Sequence, residues 1–391
     1  MARGLLAALL RLTTACSASV AGPAAPAGHG CITAFDAATD YFPVKVEPTH
    51  ATNFSLTYHR SYAVLTVRQP YPGGAPESYV LLRCGAPAPD LPAELADAQV
   101  VPVPVTSLYA QSTTQLQLIA DIGALDVLTG VGTPDFASGP EVRAKIDAGE
   151  VRGFAVNGQI EAEQIIADRP DVLLSQGTDD PTFPVLRNAG VPVIGWAEYL
   201  DSSPLGQAEW IKAMGVLTGH EREAAAVFDE IVARYEAQRA EVAGLPPTPV
   251  LLGQLHQGSW GVPAGNSTTG TLVRDAGGIW SEAENPSAGR VDKDFESVFV
   301  RDGAAPVWLL TRHGVRTMAD VLAEDARYGE LAAVGTGRVW VLDRWIGPTG
   351  GNVFYERGVL HPEEILADLV AVLHPEAAPG HEFVYYRQVG T

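Results

Sequence analysis

Two stretches of the chain share one hydrophobic pattern. Residues 158–174 and 291–310 each place an acidic residue early in a short helix, then a proline stop, then a continuous apolar run. In the first, Ile160, Ile165 and Ile166 fit one helix face, and Pro170 ends it ahead of Val172, Leu173 and Leu174. In the second, Glu296 opens the helix and Pro306 precedes Val307, Trp308, Leu309 and Leu310. Short unbroken apolar runs of this kind read as parallel strands covered on both faces.

The remaining pattern places these units in two halves. Apolar runs at 62–67 and 79–82 flank the turn signal at 70–74, which makes the region before residue 100 β-rich. From there the spacing predicts a strand at 101–105, a helix near 113–122, a strand at 127–131, a helix around 183–189 and a strand at 191–196. Helical periodicity then runs from about 205 to 242, punctuated by Gly219. Strand runs return at 250–252, 307–310 and 339–342, and a last helix covers 362–373. Alternation of this kind implies parallel βαβ packing. The predicted fold is α/β: two lobes, each with a central mostly parallel sheet flanked by helices, joined by a long inter-lobe helix. The expected division is an export signal and tether at 1–30, a first lobe at 31–200 with a β-rich extension at 31–99, connecting helices at 201–244 and a second lobe at 245–391.

Composition narrows the function. A formal net charge of −20 argues against nucleic acid, which calls for a basic patch. The glycine pairs at 130/132 and 277/278 lack the third glycine of a dinucleotide fingerprint. No GxSxG elbow or HExxH motif occurs. The nine histidines fall without ligand spacing, and His361 and His374 flank the last helix as capping or packing groups. No catalytic residue, resident cofactor or protein-held metal is expected.

The first residues read as an export signal. Arg3 supplies charge, 4–10 an apolar stretch too short to span a membrane, and 13–16 a small-residue cleavage site ending at Cys16. The site is similar to a bacterial lipobox, in which Cys16 would carry lipid and anchor the exported protein outside the cytoplasm. Plain secretion or a start placed too early are the alternatives. Residues 17–30, rich in Ala, Gly, Pro and Ser, read as a flexible tether. In an oxidising compartment Cys31 and Cys84 suggest a disulfide, worth about 4 kcal/mol in the chain-entropy model. Two buried thiols are the other possibility.

Open parallel sheets bind ligands beyond the carboxyl ends of their strands. The residues expected there include Tyr109, Trp196, Trp260, Arg312, Trp345 and Asn352, with Thr133, Phe136, Gln176 and His313 nearby in sequence. Aromatic groups with arginine suit a bulky ligand held by stacking and bidentate hydrogen bonds. Ordinary packing is the alternative for each. Glu163 and Glu296 complement their helix dipoles, and their matched placement in both halves also suits a shared external partner.

In sequence order, several segments together resemble ABC-transporter substrate-binding proteins of the ferric-siderophore and cobalamin class. They are LDVLTGV at 125–131, EQIIADRPDVLL at 163–174, MGVLTGHE at 214–221, DAGG at 275–278, FESV at 295–298, GRVWVL at 337–342, PEEILADL at 362–369 and LHPE at 373–376. The resemblance spans roughly residues 100 to 376 and leaves the segment before residue 100 outside it. It implies two lobes joined by a long helix, no catalysis, a monomer, and a metal-chelate ligand in the inter-lobe cleft. It also implies that Glu163 and Glu296 dock onto arginines of a membrane permease. A haem receptor of the same fold, with Tyr109 or a histidine as axial ligand, is one alternative. An exported enzyme on the same scaffold is another.

Overall fold

The computed structural model describes residues 30–390, and Cys16 lies outside them. The chain begins with a four-stranded sheet of order β1-β2-β3-β4, formed by β1 (Phe54–Tyr58), β2 (Tyr62–Val67), β3 (Glu77–Arg83) and β4 (Gln99–Val103). The 70–74 turn joins β2 to β3, as its Pro and Gly content predicts. Cys31 and Cys84 are joined by a disulfide, with Cα atoms 4.7 Å apart, which ties the chain's first described residues to the end of β3.

The N-terminal lobe follows: β5 (Leu108–Ala110), α1 (Leu116–Asp121), β6 (Leu128–Val131), α2 (Pro140–Asp147), β7 (Arg152–Gly153), the hairpin β8 (Ala155–Val156) and β9 (Gln159–Ile160), α3 (Ala162–Asp168), β10 (Val172–Leu174), α4 (Thr182–Asn188) and β11 (Val193–Ile194). Its sheet is parallel, in the order β11-β10-β5-β6-β7. The 101–105 run therefore does not enter this sheet. Its first residues pair with β3 in the preceding one, and the three-residue β5 takes the place expected of it. Ile160 sits in β9, not on the following helix, which starts two residues later. Arg169 ends α3 in the left-handed conformation, φ 51°, just before Pro170.

Three helices carry the chain across: α5 (Pro204–Ala208), α6 (Ile211–Thr218) and α7 (Glu221–Val242). Gly219 closes α6 with φ 75°, a conformation open to glycine at no steric cost. Helix α7, at 22 residues, is about 33 Å long. The C-terminal lobe then runs β12 (Thr248–Leu252), β13 (Leu255–His256), β14 (Ser259–Pro263), α8 (Thr268–Asp275), β15 (Gly278–Ile279), β16 (Arg290–Lys293), α9 (Phe295–Asp302), β17 (Val307–Leu310), α10 (Met318–Glu324), α11 (Ala332–Gly335), β18 (Val339–Val341), α12 (Val353–Arg357), α13 (Pro362–Leu373) and β19 (Arg387–Gln388). Its main sheet, β15-β12-β17-β18-β19, is parallel except for β19. The architecture is thus the predicted α/β pair of lobes, with α7 as the long bridge and α13 packed along it.

The leading sheet is pinned to the connecting helices by two buried carboxylates. Glu209, fully buried, accepts from the backbone N–H groups of Thr49 (2.8 Å), His50 (2.6 Å) and Ala51 (2.7 Å), and from the Thr49 hydroxyl and Lys212 Nζ. Asp201 accepts from the N–H of Thr52 and Asn53 and from the Trp210 indole. Burial alone would raise the Glu209 carboxyl, but Lys212 and the three N–H donors outweigh it and hold it below its ordinary value. Its stabilising contribution is present above the unfolded-state pKa and is lost as pH falls through that depressed value. Exchanging Glu209 for Gln leaves Lys212 buried without its counter-charge. The unfolding free energy should drop by about 3–5 kcal/mol, seen as an earlier urea midpoint at unchanged slope. A drop under about 1 kcal/mol would show that the clamp is dispensable.

Candidate functional site

The carboxyl ends of β5, β6 and β10 open into a cavity of ≈ 220 Å³ lined by Gln111, Ser112, Thr113, Thr133, Phe136 and Gln176, among others. Its lining residues are polar or apolar, and none carries a formal charge. Ser112 starts the turn above α1 by accepting from Thr114 N–H, while Gln115 reaches back to the Ser112 N–H. Gln111 Oε1 accepts from Gln176 N–H at 2.9 Å, which ties two cavity walls together. Phe136, 62% exposed, stands at the rim. Below the turn, Glu198 is buried and receives the Thr114 hydroxyl. Burial, only partly offset by that bond, pushes its carboxyl up to about 7.

On the C-terminal lobe, the loop after β17 carries Arg312 and His313, and α12 carries Tyr355. Arg312 forms an ion pair with Glu324. His313 Nε2 lies 3.3 Å from the Tyr355 hydroxyl, and Asn352 Nδ2 lies 3.3 Å from His313 Nδ1. Asn352 also donates to the Leu342 carbonyl and caps α12. Tyr355 is 49% exposed and Trp345 43%. Trp345 faces a second cavity, ≈ 260 Å³, shared with Asp121, Gly139 and Glu141 of the N-terminal lobe and Glu356 and Arg357 of α12.

The lobes meet along a close seam. Glu356, buried, accepts from Ser138 N–H (2.5 Å) and Gly139 N–H (2.9 Å) and so caps α2 from the other lobe. The Thr349 hydroxyl donates to the Asp135 carbonyl at 2.6 Å. His361 Nε2 lies 2.6 Å from Asp121 Oδ2. A Cβ on Gly351 would fall 2.3 Å from the Phe136 carbonyl oxygen, so this approach requires glycine.

Of the six residues expected at the ligand, three are elsewhere in this structure. Tyr109 is 3% exposed. It lies within β5 instead of beyond it, its ring stacks on Phe154 at 5.0 Å, and its hydroxyl donates to Asp168 at 2.7 Å. Trp196 is fully buried with its edge on Trp210, 4.9 Å between centroids. Trp260 is fully buried among Trp308, Phe295 and Tyr328, and its indole N–H donates to the Leu252 carbonyl. These three rings serve the core. Arg312, Trp345 and Asn352 are on the C-terminal lobe's loops, as described. Sequence reading missed Gln111, Tyr355 and Glu356. Gln111 sits one residue past a strand too short to recognise, and the other two lie on a helix of five residues.

Glu163 and Glu296 both lie exposed in the first turns of α3 and α9. Glu296 receives a hydrogen bond from Arg327 at 3.1 Å, while Arg327 is itself held by Asp325 and lies over the Phe295 ring. His361, Glu363 and Glu364 bring ligand-type atoms within 4.8 Å of one another. Asp121, Arg234 and Arg357 already engage them, so the cluster is an ion-pair network.

Two lobes with parallel sheets, a long helical bridge and a cavity at the strand ends are the frame of a two-lobed binding protein. The chain belongs to the periplasmic binding protein family, whose model matches residues 108–344. As a member of that family it is a binding protein. Two lipoproteins of Methanocaldococcus jannaschii are 23% identical to it. One match covers 74% of this chain and 70% of the relative, the other 79% and 78%. Among solved structures, a periplasmic haem-binding protein from Pseudomonas aeruginosa has the same fold (TM-score 0.56, 21% identity, 73% of this chain and 99% of that one). A possible iron-binding solute-binding protein from Staphylococcus epidermidis also shares it (TM-score 0.55, 15% identity, 69% and 99%).

The seam makes a direct prediction. A valine at position 351 must push the Phe136 carbonyl away and so part the lobes. The radius of gyration of the Gly351→Val protein in solution scattering should exceed that of the parent. An unchanged radius would mean that the loops yield locally and the seam is soft.

Proposed function

We propose that the chain is the exported capture component of an ABC importer. It holds a near-neutral metal chelate, an iron–siderophore or a corrinoid, between the lobes and hands it to a membrane permease. The observation that carries the reading is the uncharged wall at Gln111, Thr133 and Gln176, together with an Arg312 that already has a carboxylate partner. A strongly anionic chelate would lose its hydration in such a cleft without gaining cations in exchange. A neutral hydroxamate or an amide-rimmed corrinoid needs the amide and hydroxyl partners that are available there. The exposed Phe136 and Trp345 suit an apolar ligand body. Lipidation at Cys16 is part of the proposal, supported by the lipoprotein relatives. No described helix is long and apolar enough to cross a membrane.

Calorimetric titration with a neutral ferric trihydroxamate, cobalamin, a tri-anionic ferric catecholate and haem tests the ligand class. Saturable binding of the trihydroxamate or cobalamin, with none of the catecholate, is expected. Preferential binding of the catecholate would sink the charge argument, and no binding at all would remove chelate capture.

Haem is a second reading, favoured by one observation: the His313 imidazole, in the loop after β17, and the Tyr355 hydroxyl of α12 are 3.3 Å apart, both iron-ligating groups. Tyr109, the sequence candidate for that role, has its hydroxyl committed to Asp168. A Soret band that is lost in Tyr355→Phe would move haem ahead of the other ligands.

Docking on the permease is assigned to Glu163 and Glu296. Reversing both to Arg should abolish uptake while chelate affinity changes less than about twofold. An equal fall in affinity would place these acids in binding instead.

A further inference from the structure

We propose that His361 is a proton-operated latch between the lobes: its doubly protonated ring ties Asp121 of the N-terminal lobe to Glu363 of the C-terminal lobe, and loss of a proton releases the tie. His361 precedes α13 and is 4% exposed. Its Nε2 lies 2.6 Å from Asp121 Oδ2, and its Nδ1 lies 2.9 Å from Glu363 Oε1. A neutral imidazole has one N–H, so it can donate to one carboxylate only and must turn a lone pair toward the other. Only the imidazolium satisfies both. Asp121 lies in the N-terminal lobe, and His361 and Glu363 in the C-terminal lobe, so the Nε2–H bond to Asp121 is the one that crosses the seam, and a neutral ring must give up either that bond or the one to Glu363.

The surroundings support a charged ring. Asp121 also receives the Gln117 side chain from its own helix. Glu363 is bound by Arg234 of α7 at 3.0 Å, and Arg234 also pairs with Glu230. Arg357 of α12 pairs with Glu364, which accepts from the Tyr385 hydroxyl of the C-terminal segment. Asp121, Glu363, Glu364 and Glu230 share only Arg234 and Arg357, so the cluster keeps an excess of negative charge that an imidazolium offsets. Burial pulls the pKa of the ring down, but the hydrogen bonds to Asp121 and Glu363 outweigh it and hold the value at about 9.

The sign follows from linkage. Parting the lobes removes Asp121, so the open form binds the proton less tightly than the closed one. Closure is therefore favoured below the open-state pKa and lost as pH rises through about 9. Glu356 on the same seam is raised by burial and works in the same direction at lower pH. Glu198 changes charge near 7. Ordinary tyrosines and lysines also titrate toward pH 10, so the response is assigned to His361 by its loss in His361→Gln.

The latch is read in the full chain without ligand. Spin labels at Ala148→Cys and Glu330→Cys, exposed on opposite lobes, report the inter-lobe distance by pulsed electron resonance. Between neutrality and about pH 10 the longer-distance population should rise several-fold and return on re-acidification. In His361→Gln that population should already be raised at neutrality and should not respond to pH. In Asp121→Asn the open and closed forms hold the ring proton nearly alike, so the pH response should be largely lost, and this variant carries the test if His361→Gln does not fold. An unchanged distance in the parent across the range would overturn the proposal. So would a full-sized transition in either His361→Gln or Asp121→Asn.

Discussion

Buried carboxylates that each collect several backbone N–H groups hold this molecule together. Glu209 gathers the turn at 49–51, Asp201 gathers 52–53, and Glu356 gathers 138–139. Asp368 does the same for the C-terminal segment, accepting from the N–H groups of Val384, Tyr385 and Tyr386. Each of these loops presents donors that no helix or sheet satisfies, and an anion meets them with charge-assisted bonds. The contacts link segments far apart in sequence: sheet to connecting helix, lobe to lobe, and tail to last helix. Part of the large negative charge of the chain is therefore structural and does not belong to its surface.

This arrangement decides where a ligand can be held. The seam from Glu356 to His361 fixes how the lobes approach at one side, and α7 fixes their separation along its length. Between them, the strand ends of the N-terminal lobe offer amides and hydroxyls, with no free cation among the lining residues. Glu209, Asp201, Glu356 and Asp368 are drawn inward as clamps, while Glu163 and Glu296 stand exposed at the starts of α3 and α9. The cavity wall at the strand ends of the N-terminal lobe is left without a charged residue, and that underlies the proposed ligand class.

The sequence made the fold legible wherever local pattern and final partner coincide. The runs at 62–67 and 307–310 and the helix at 362–373 fall where their periodicity puts them, and the two-lobed α/β plan follows from their alternation. The run at 101–105 misled because an apolar stretch does not name its partner. It joined the leading sheet and left the N-terminal lobe to a strand of three residues. That displacement put Tyr109 inside a strand, facing the core. Trp196 and Trp260 show a related limit: position near a strand end does not say which way a ring turns. The seam was not legible at all, since Glu356 meets Ser138 and His361 meets Asp121 only through the tertiary fold.

The most direct measurement is a crystal structure of the protein grown with a neutral ferric trihydroxamate or cobalamin. The account predicts density for the chelate between the lobes, against Gln111, Thr133 and Gln176 on one side and the His313–Tyr355 loops on the other. A chelate seated elsewhere, or lobes that close over an empty cleft at saturating ligand, would contradict it.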